Sequence, residues 1–176
     1  MPNREPDIRI VPTQAEYFDG LETLQRLVFA HIPAEEAFTA AQYAEHVRYF
    51  PDGQLTALAV SEQGEMVVGT TTMLTNETFA GEHPYYFDFI GKGTLATHDP
   101  SGEWLYGIDV GVHPDFRRMG IGKGLYDARR DLVRRLNLRG ELVAGLLPGY
   151  PRYRTEMSVE DYAQRVVAGE LRDPTL

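Results

Sequence analysis

The chain has 176 residues and no cysteine. Disulfides, thiolate metal sites and a cysteine nucleophile are therefore excluded together. Long apolar runs are also missing. No window approaches the roughly 18 apolar residues of a membrane-spanning helix, so no contact with a bilayer is expected. The polar start, Met1 to Arg9, lacks the apolar stretch of a secretory signal, which makes the cytoplasm the expected compartment. Repeats and low-complexity linkers are absent, and residues 1–176 read as a single domain able to bury a proper core. Cations are outnumbered, and the net charge of −9 argues against a nucleic-acid partner. The five histidines (His31, His46, His83, His98 and His113) show no ligand spacing such as H-x-x-x-H, so no metal is expected.

What is present reads as alternating strands and helices. Ile8, Ile10 and Val11 predict a first strand. Thr13 with Glu16 forms a capping-box pattern for a helix to about Phe29, with Phe18, Leu21, Leu24 and Val28 on one face. A second helix is predicted over about 34–49, ended by Pro51-Asp52-Gly53. Leu55 to Ser61 and Met66 to Thr75 read as a hairpin around Gln63-Gly64. Residues 77–103 form a long aromatic and acidic insert. Trp104 to Val112 reads as a strand, a helix follows Gly120, and Leu142 to Leu147 reads as a strand parallel to Trp104–Val112. Ser158 with Asp161 announces a helix from Val159 to about Glu170.

One segment is more informative than the rest. After Ile108 to Val112 come Pro114, Arg117 and Arg118, then Gly120, Gly122 and Gly124. Leu125, Leu132, Val133 and Leu136 then recur at helical spacing. Nothing at Met119 to Gly122 can cap this helix with a side chain, and two arginines stand where the helix dipole disfavours cations. A bound pyrophosphate resolves both oddities, because it satisfies the free N–H groups and pairs with the arginines. The three glycines would allow the approach, and Gly111 within the strand suggests a bulge or close backbone contact. Other phosphate loops fit less well. A Walker A loop needs Ser or Thr after Gly122-Lys123, where Gly124 stands, and the spacing is not G-x-G-x-x-G. Residues 117–139 carry a net +6. Arg117, Arg118 and Lys123 read as cofactor contacts, and Arg134, Arg135 and Arg139 as complements to the helix C-terminus.

The segment resembles motif A of the GNAT superfamily of N-acetyltransferases, V-x-P-x-x-R/Q-x-x-G-x-G/A-x-x-L, at Val112, Pro114, Arg117, Gly120, Gly122 and Leu125. The resemblance implies an α/β (α+β) fold: a mixed, mostly antiparallel sheet flanked by helices, with a parallel βαβ unit at the cofactor. It implies acetyl-CoA as co-substrate. Its pyrophosphate would lie on the backbone of Arg117, Arg118, Met119, Gly120, Ile121, Gly122 and Lys123, and its pantetheine arm along Val110 to Val112. With no cysteine, the acetyl group would pass directly from CoA to an amine of a small molecule or peptide. The family's closing N-x-x-A-x-x-x-Y-x-x-x-G-F signature has no match after Leu147. The C-terminal strands are thus expected to be missing, through truncation or supply by a partner, and an open edge would favour a homodimer. The Leu147-Pro148-Gly149-Tyr150 stretch, the Tyr153 loop and the aromatic insert resemble a GNAT subgroup sometimes fused ahead of a nitrilase-like hydrolase domain.

Amine acetylation needs a base and benefits from an acid for the departing thiolate. Asp109, before the cofactor end of its strand, is the first choice of base, with Glu103 second. Tyr150, nearest the next strand end, is the candidate acid, with Tyr153 and Tyr162 as substitutes and each also readable as a packing residue. Tyr126 reads as lining the core or the pantetheine groove. Glu77, Glu82, Asp88, Asp99 and Glu103 could face a cationic acceptor or simply solvate a loop. A non-catalytic acyl-CoA-binding or regulatory module and an ATP-dependent enzyme remain as other readings.

Overall fold

A computed structural model describes residues 6–76, 86–143, 145 and 147–173. These form two compact units, residues 1–143 and 144–176. The first unit is built on a five-stranded sheet of order β1-β2-β3-β4-β5: β1 (Asp7–Pro12), β2 (Gln54–Ser61), β3 (Gly64–Asn76), β4 (Trp104–Val112) and β5 (Gly140–Val143). Neighbours are antiparallel except β4 and β5, which are parallel. The helices are α1 (Phe18–Val28), α2 (Ala40–Tyr49), the short α3 (Tyr86–Phe89) and α4 (Ile121–Arg135).

Side-chain alternation along the strands divides the core. Val67, Leu74, Tyr106 and Ile108 pack with Leu21 of α1 and Phe38 and Tyr43 around α2. Val68, Met73 and Leu105, each one residue away, pack with Ile121, Leu125 and Leu132 of α4. Burying a leucine such as Leu125 contributes roughly 2 kcal/mol. Among the described residues no helix is long and apolar enough to cross a membrane.

Several boundaries differ from the sequence expectation. Thr13 does not cap α1. Its hydroxyl is buried against that of Thr56 at 2.9 Å, and a 3-10 turn over Ala15–Tyr17 leads into the helix. The α2 helix begins at Ala40, because Thr39 and Gln42 form the capping box that fixes its start. The β5 strand spans Gly140–Val143 rather than Leu142 to Leu147, and Ala144 and Leu146 lie outside the described residues. In the second unit, α5 (Val159–Val167) begins at Ser158, whose hydroxyl accepts from the Asp161 N–H at 3.1 Å.

Candidate active site on strand β4 and the start of helix α4

The ladder between β3 and β4 is interrupted at one point. Asp109 stands opposite Thr72 and Gly107 opposite Met73, which leaves Ile108 as the extra residue of a β-bulge. The bulge lies at Ile108 and not at Gly111, where the sequence suggested one. Gly111 instead keeps ladder register, against Phe29 and Thr70.

Side chains take up the backbone groups near the bulge. Thr72 donates its N–H to Asp109 Oδ1 at 2.9 Å, and the Tyr86 hydroxyl donates to the Ile108 carbonyl at 2.9 Å. The Thr71 hydroxyl donates to the Asp109 carbonyl at 2.7 Å. Asp109 Oδ2 is out of reach of solvent and has no hydrogen-bond partner among the described residues. Burial pushes the Asp109 carboxyl up to about 6, against the lowering effects of the Thr72 N–H and the Arg129 charge. Burial likewise raises the Tyr86 phenol, which stays protonated. Replacing Tyr86 by Phe removes one part-buried hydrogen bond, so a loss of about 1 kcal/mol is expected in denaturant unfolding, with the fold retained.

Pairing of β4 with β5 ends at Gly107 and Val143. Beyond it, the β5-side edge of β4 has no strand partner among the described residues. His113 donates its N–H to Val68 on β3 at 2.8 Å. Because peptide groups alternate along a strand, Val110 and Val112 direct their N–H and C=O groups to the opposite, open edge.

The turn after β4 runs into α4. Arg118 takes a left-handed φ of 66° and Gly120 one of 80°. For Arg118 this conformation costs about 1 kcal/mol, an outlier of the kind that clusters at ligand sites. The first α4 hydrogen bond runs from Gly124 N–H to the Gly120 carbonyl at 2.9 Å, and no side chain caps the helix. The N–H groups of Ile121, Gly122 and Lys123 therefore precede the intrahelical ladder. Ile121 offers backbone only, since its side chain is buried in the core.

The glycines divide by role. A side chain at Gly120 or Gly122 would meet open space, consistent with room for a ligand. A Cβ at Gly124 would stand 2.7 Å from Ile10 Cδ1, so this glycine serves helix-to-sheet packing and not ligand approach. The cations divide too. Lys123 pairs with Asp127 (2.5 Å), Arg130 with Asp127 (2.8 Å), Arg134 with Asp131 (2.7 Å), Arg135 with Asp52 (3.2 Å) and Arg139 with Glu103 (3.0 Å). Arg129 pairs with Glu141. Of the cations in residues 117–139, only Arg117 and Arg118, beside the uncapped helix start and next to exposed Met119, have no carboxylate among the described residues.

The other candidates have these surroundings. Glu103, exposed and tied to Arg139, precedes the far end of β4. Asp99 Oδ1 accepts from the N–H and hydroxyl of Ser101 in a tight turn, and Asp88 is exposed. Glu77 and Glu82 lie outside the described residues. Tyr150 belongs to the second unit, where its hydroxyl donates to the Met157 carbonyl at 3.4 Å and its ring packs 5.6 Å from that of Tyr162. Tyr153 packs on the same ring at 5.3 Å, and Tyr162 donates to Asp173 at 3.0 Å. Among the described residues no cluster of three or more His, Cys, Asp or Glu could hold a metal.

Tyr86, Gly107 and Arg129 were not picked out from sequence. Arg129 had a signal: it lies four residues after Leu125 and three before Leu132, on the apolar stripe.

Residues 21–147 match the model of the acetyltransferase (GNAT) family. The chain is 34% identical over 173 residues to the probable hydrolase YhcX of Bacillus subtilis, covering 98% of this chain and 30% of that protein. It is 31% identical over 145 residues to the uncharacterized N-acetyltransferase YkwB of the same organism, covering 82% of this chain and 62% of that protein. The chain thus spans less than two thirds of either relative. Among solved structures it is similar to GphF, a GNAT-like decarboxylase in complex with isobutyryl-CoA, at 24% identity and a TM-score of 0.70, over 95% of this chain and 80% of that one.

Proposed function

From the membership of this chain in the acetyltransferase (GNAT) family, we propose that it transfers an acetyl group from acetyl-CoA directly to the amine of a small molecule or peptide. The observation that carries the proposal is the joint placement of an uncapped helix start, open space over Gly120 and Gly122, and two arginines after β4 that have no carboxylate among the described residues. These fit a pyrophosphate: the N–H groups of Ile121, Gly122 and Lys123 would bind it, with Arg117 and Arg118 supplying charge. Val110 and Val112 would hold the pantetheine arm by their open backbone edge. Bound acetyl-CoA supplies an activated acyl group on a thioester.

Asp109 then accepts the proton that the acceptor ammonium must lose. A carboxyl pushed up to about 6 remains ionised at neutral pH and is a stronger base than an exposed one. The departing CoA thiolate takes up a proton as the C–S bond breaks. The proposed chemistry is that of the domain. For a longer protein resembling the YhcX relative, a second activity would accompany it.

Release of free thiol from acetyl-CoA over a broad amine panel tests the proposal. Turnover with at least one amine is expected. Acetyl-CoA binding without thiol release from any amine would instead identify a non-catalytic acyl-CoA module. Loss of CO2 from a carboxylated acyl-CoA with the thioester intact would identify the reaction named for the GphF neighbour.

A further inference from the structure

One buried charge is unused in this chemistry. Arg129 lies on α4, two turns beyond the proposed pyrophosphate site, and its side chain is 1% exposed. Its Nε stands 2.6 Å from Glu141 Oε1 on β5, an ion pair without the alignment of a hydrogen bond. Its guanidinium carbon lies 5.0 Å from the centre of the Tyr126 ring. On β4 it occupies the face of Gly107, where an added Cβ would meet Nη2 at 1.4 Å. Gly107 and Val143 are also the last paired residues of β4 and β5. The guanidinium therefore sits where the two strands part, and its Nη2 has no hydrogen-bond partner among the described residues.

A buried arginine facing a single carboxylate is costly unless other groups also favour its charge, and Asp109 and Tyr126 do so here. The charged and titratable groups around Asp109 come from four elements: Arg129 of α4, Tyr86 of α3, Tyr43 of α2 and, behind Arg129, Glu141 of β5. Arg129 is the cation among them. We propose that Arg129 is the positioning residue of the Asp109 base. Lodged between Gly107, Tyr126 and Glu141, its fixed charge keeps the neighbouring carboxylate ionised and ready to accept a proton. The same residue then links the helix that binds the pyrophosphate to the strand that carries the base. This role rests on the acyl-transfer reading, in which Asp109 is the base.

The test is the titration of the Asp109 carboxyl carbon by NMR in the full chain without acyl-CoA, for wild type, Arg129→Met, Arg129→Lys and Glu141→Gln. Arg129→Met is expected to move the midpoint up by about half a pH unit, and Glu141→Gln to move it down by a similar amount. Arg129→Lys keeps the charge and is expected to hold the midpoint near that of wild type. A purely structural role would not produce opposite shifts from the two partners. The acid limb of kcat/KM is expected to follow each midpoint. If Arg129→Met does not fold, Glu141→Gln decides. A midpoint that stays or rises in Glu141→Gln, or stays in a folded Arg129→Met, overturns the proposal. Absence of turnover in every variant with the shifts intact would instead overturn the acyl-transfer reading.

Discussion

Replacing Gly122 by Asp is expected to weaken acetyl-CoA binding by at least about 100-fold, roughly 3 kcal/mol, while the fold persists. The two effects have opposite signs for a physical reason. A carboxylate in the first turn of α4 complements the helix dipole and stabilises the empty protein by about 0.3–1 kcal/mol. Nothing within 4 Å of the Gly122 Cβ position resists the side chain. The same carboxylate would face the pyrophosphate across the N–H groups of Ile121 to Lys123 and repel it. Calorimetric titration with acetyl-CoA and a thermal melt of the ligand-free variant read the two quantities separately. Normal binding by a folded variant would place the cofactor elsewhere. A Gly124→Asp control is less informative, because its side chain collides with Ile10 and disturbs packing as well.

Asp109→Asn is expected to lower kcat/KM for the acceptor amine by about 100- to 10,000-fold, the usual contribution of a positioned base. It is also expected to stabilise the protein near neutral pH. The folded carboxyl titrates at about 6, above its unfolded value of 3.8, so the folded state binds the proton more tightly. That contribution to stability is fully present below the unfolded value and is lost as pH rises through 6. At pH 7.5 the wild type carries a buried anion that Asn does not, and Asn still accepts from the Thr72 N–H. The stability of Asp109→Asn relative to wild type should therefore increase between pH 4 and pH 7.5 in denaturant unfolding. A pH-independent difference would mean that Asp109 is not held above its ordinary range.

Much of this arrangement was legible in the sequence, because it follows from local patterns. Trp104 to Val112 is the strand its apolar content announced, the helix after Gly120 keeps its stripe at Leu125 and Leu132, and Ser158 caps where its spacing to Asp161 indicated. The start of α4 lacks a side-chain cap in the structure as it did in the sequence, and Arg117 and Arg118 stand beside it without a carboxylate among the described residues.

What was not legible depends on contacts between distant residues. The bulge at Ile108 is a mismatch between two strands, and no property of Ile108 alone signals it. Gly111 looked the better site because glycine tolerates irregular backbone, but the irregularity settled where Thr72 and Tyr86 could hydrogen-bond to Asp109 and Ile108. Thr13 matched a capping box, yet its hydroxyl found Thr56 across the sheet. Arg129 entered the sequence reading only within the net charge of residues 117–139, since an arginine is buried only when a partner such as Glu141, twelve positions away, receives it. Gly124 was read with the ligand glycines because its packing neighbour, Ile10, is remote in sequence.

The most direct test of the central claim is an amide NMR titration of the 15N-labelled chain with acetyl-CoA. The largest shifts are expected at Arg118 to Lys123, where pyrophosphate would meet the free N–H groups, and at Val110 and Val112 on the open edge of β4. Saturable binding with those amides unmoved, and the shifts gathered elsewhere in the fold, would contradict it.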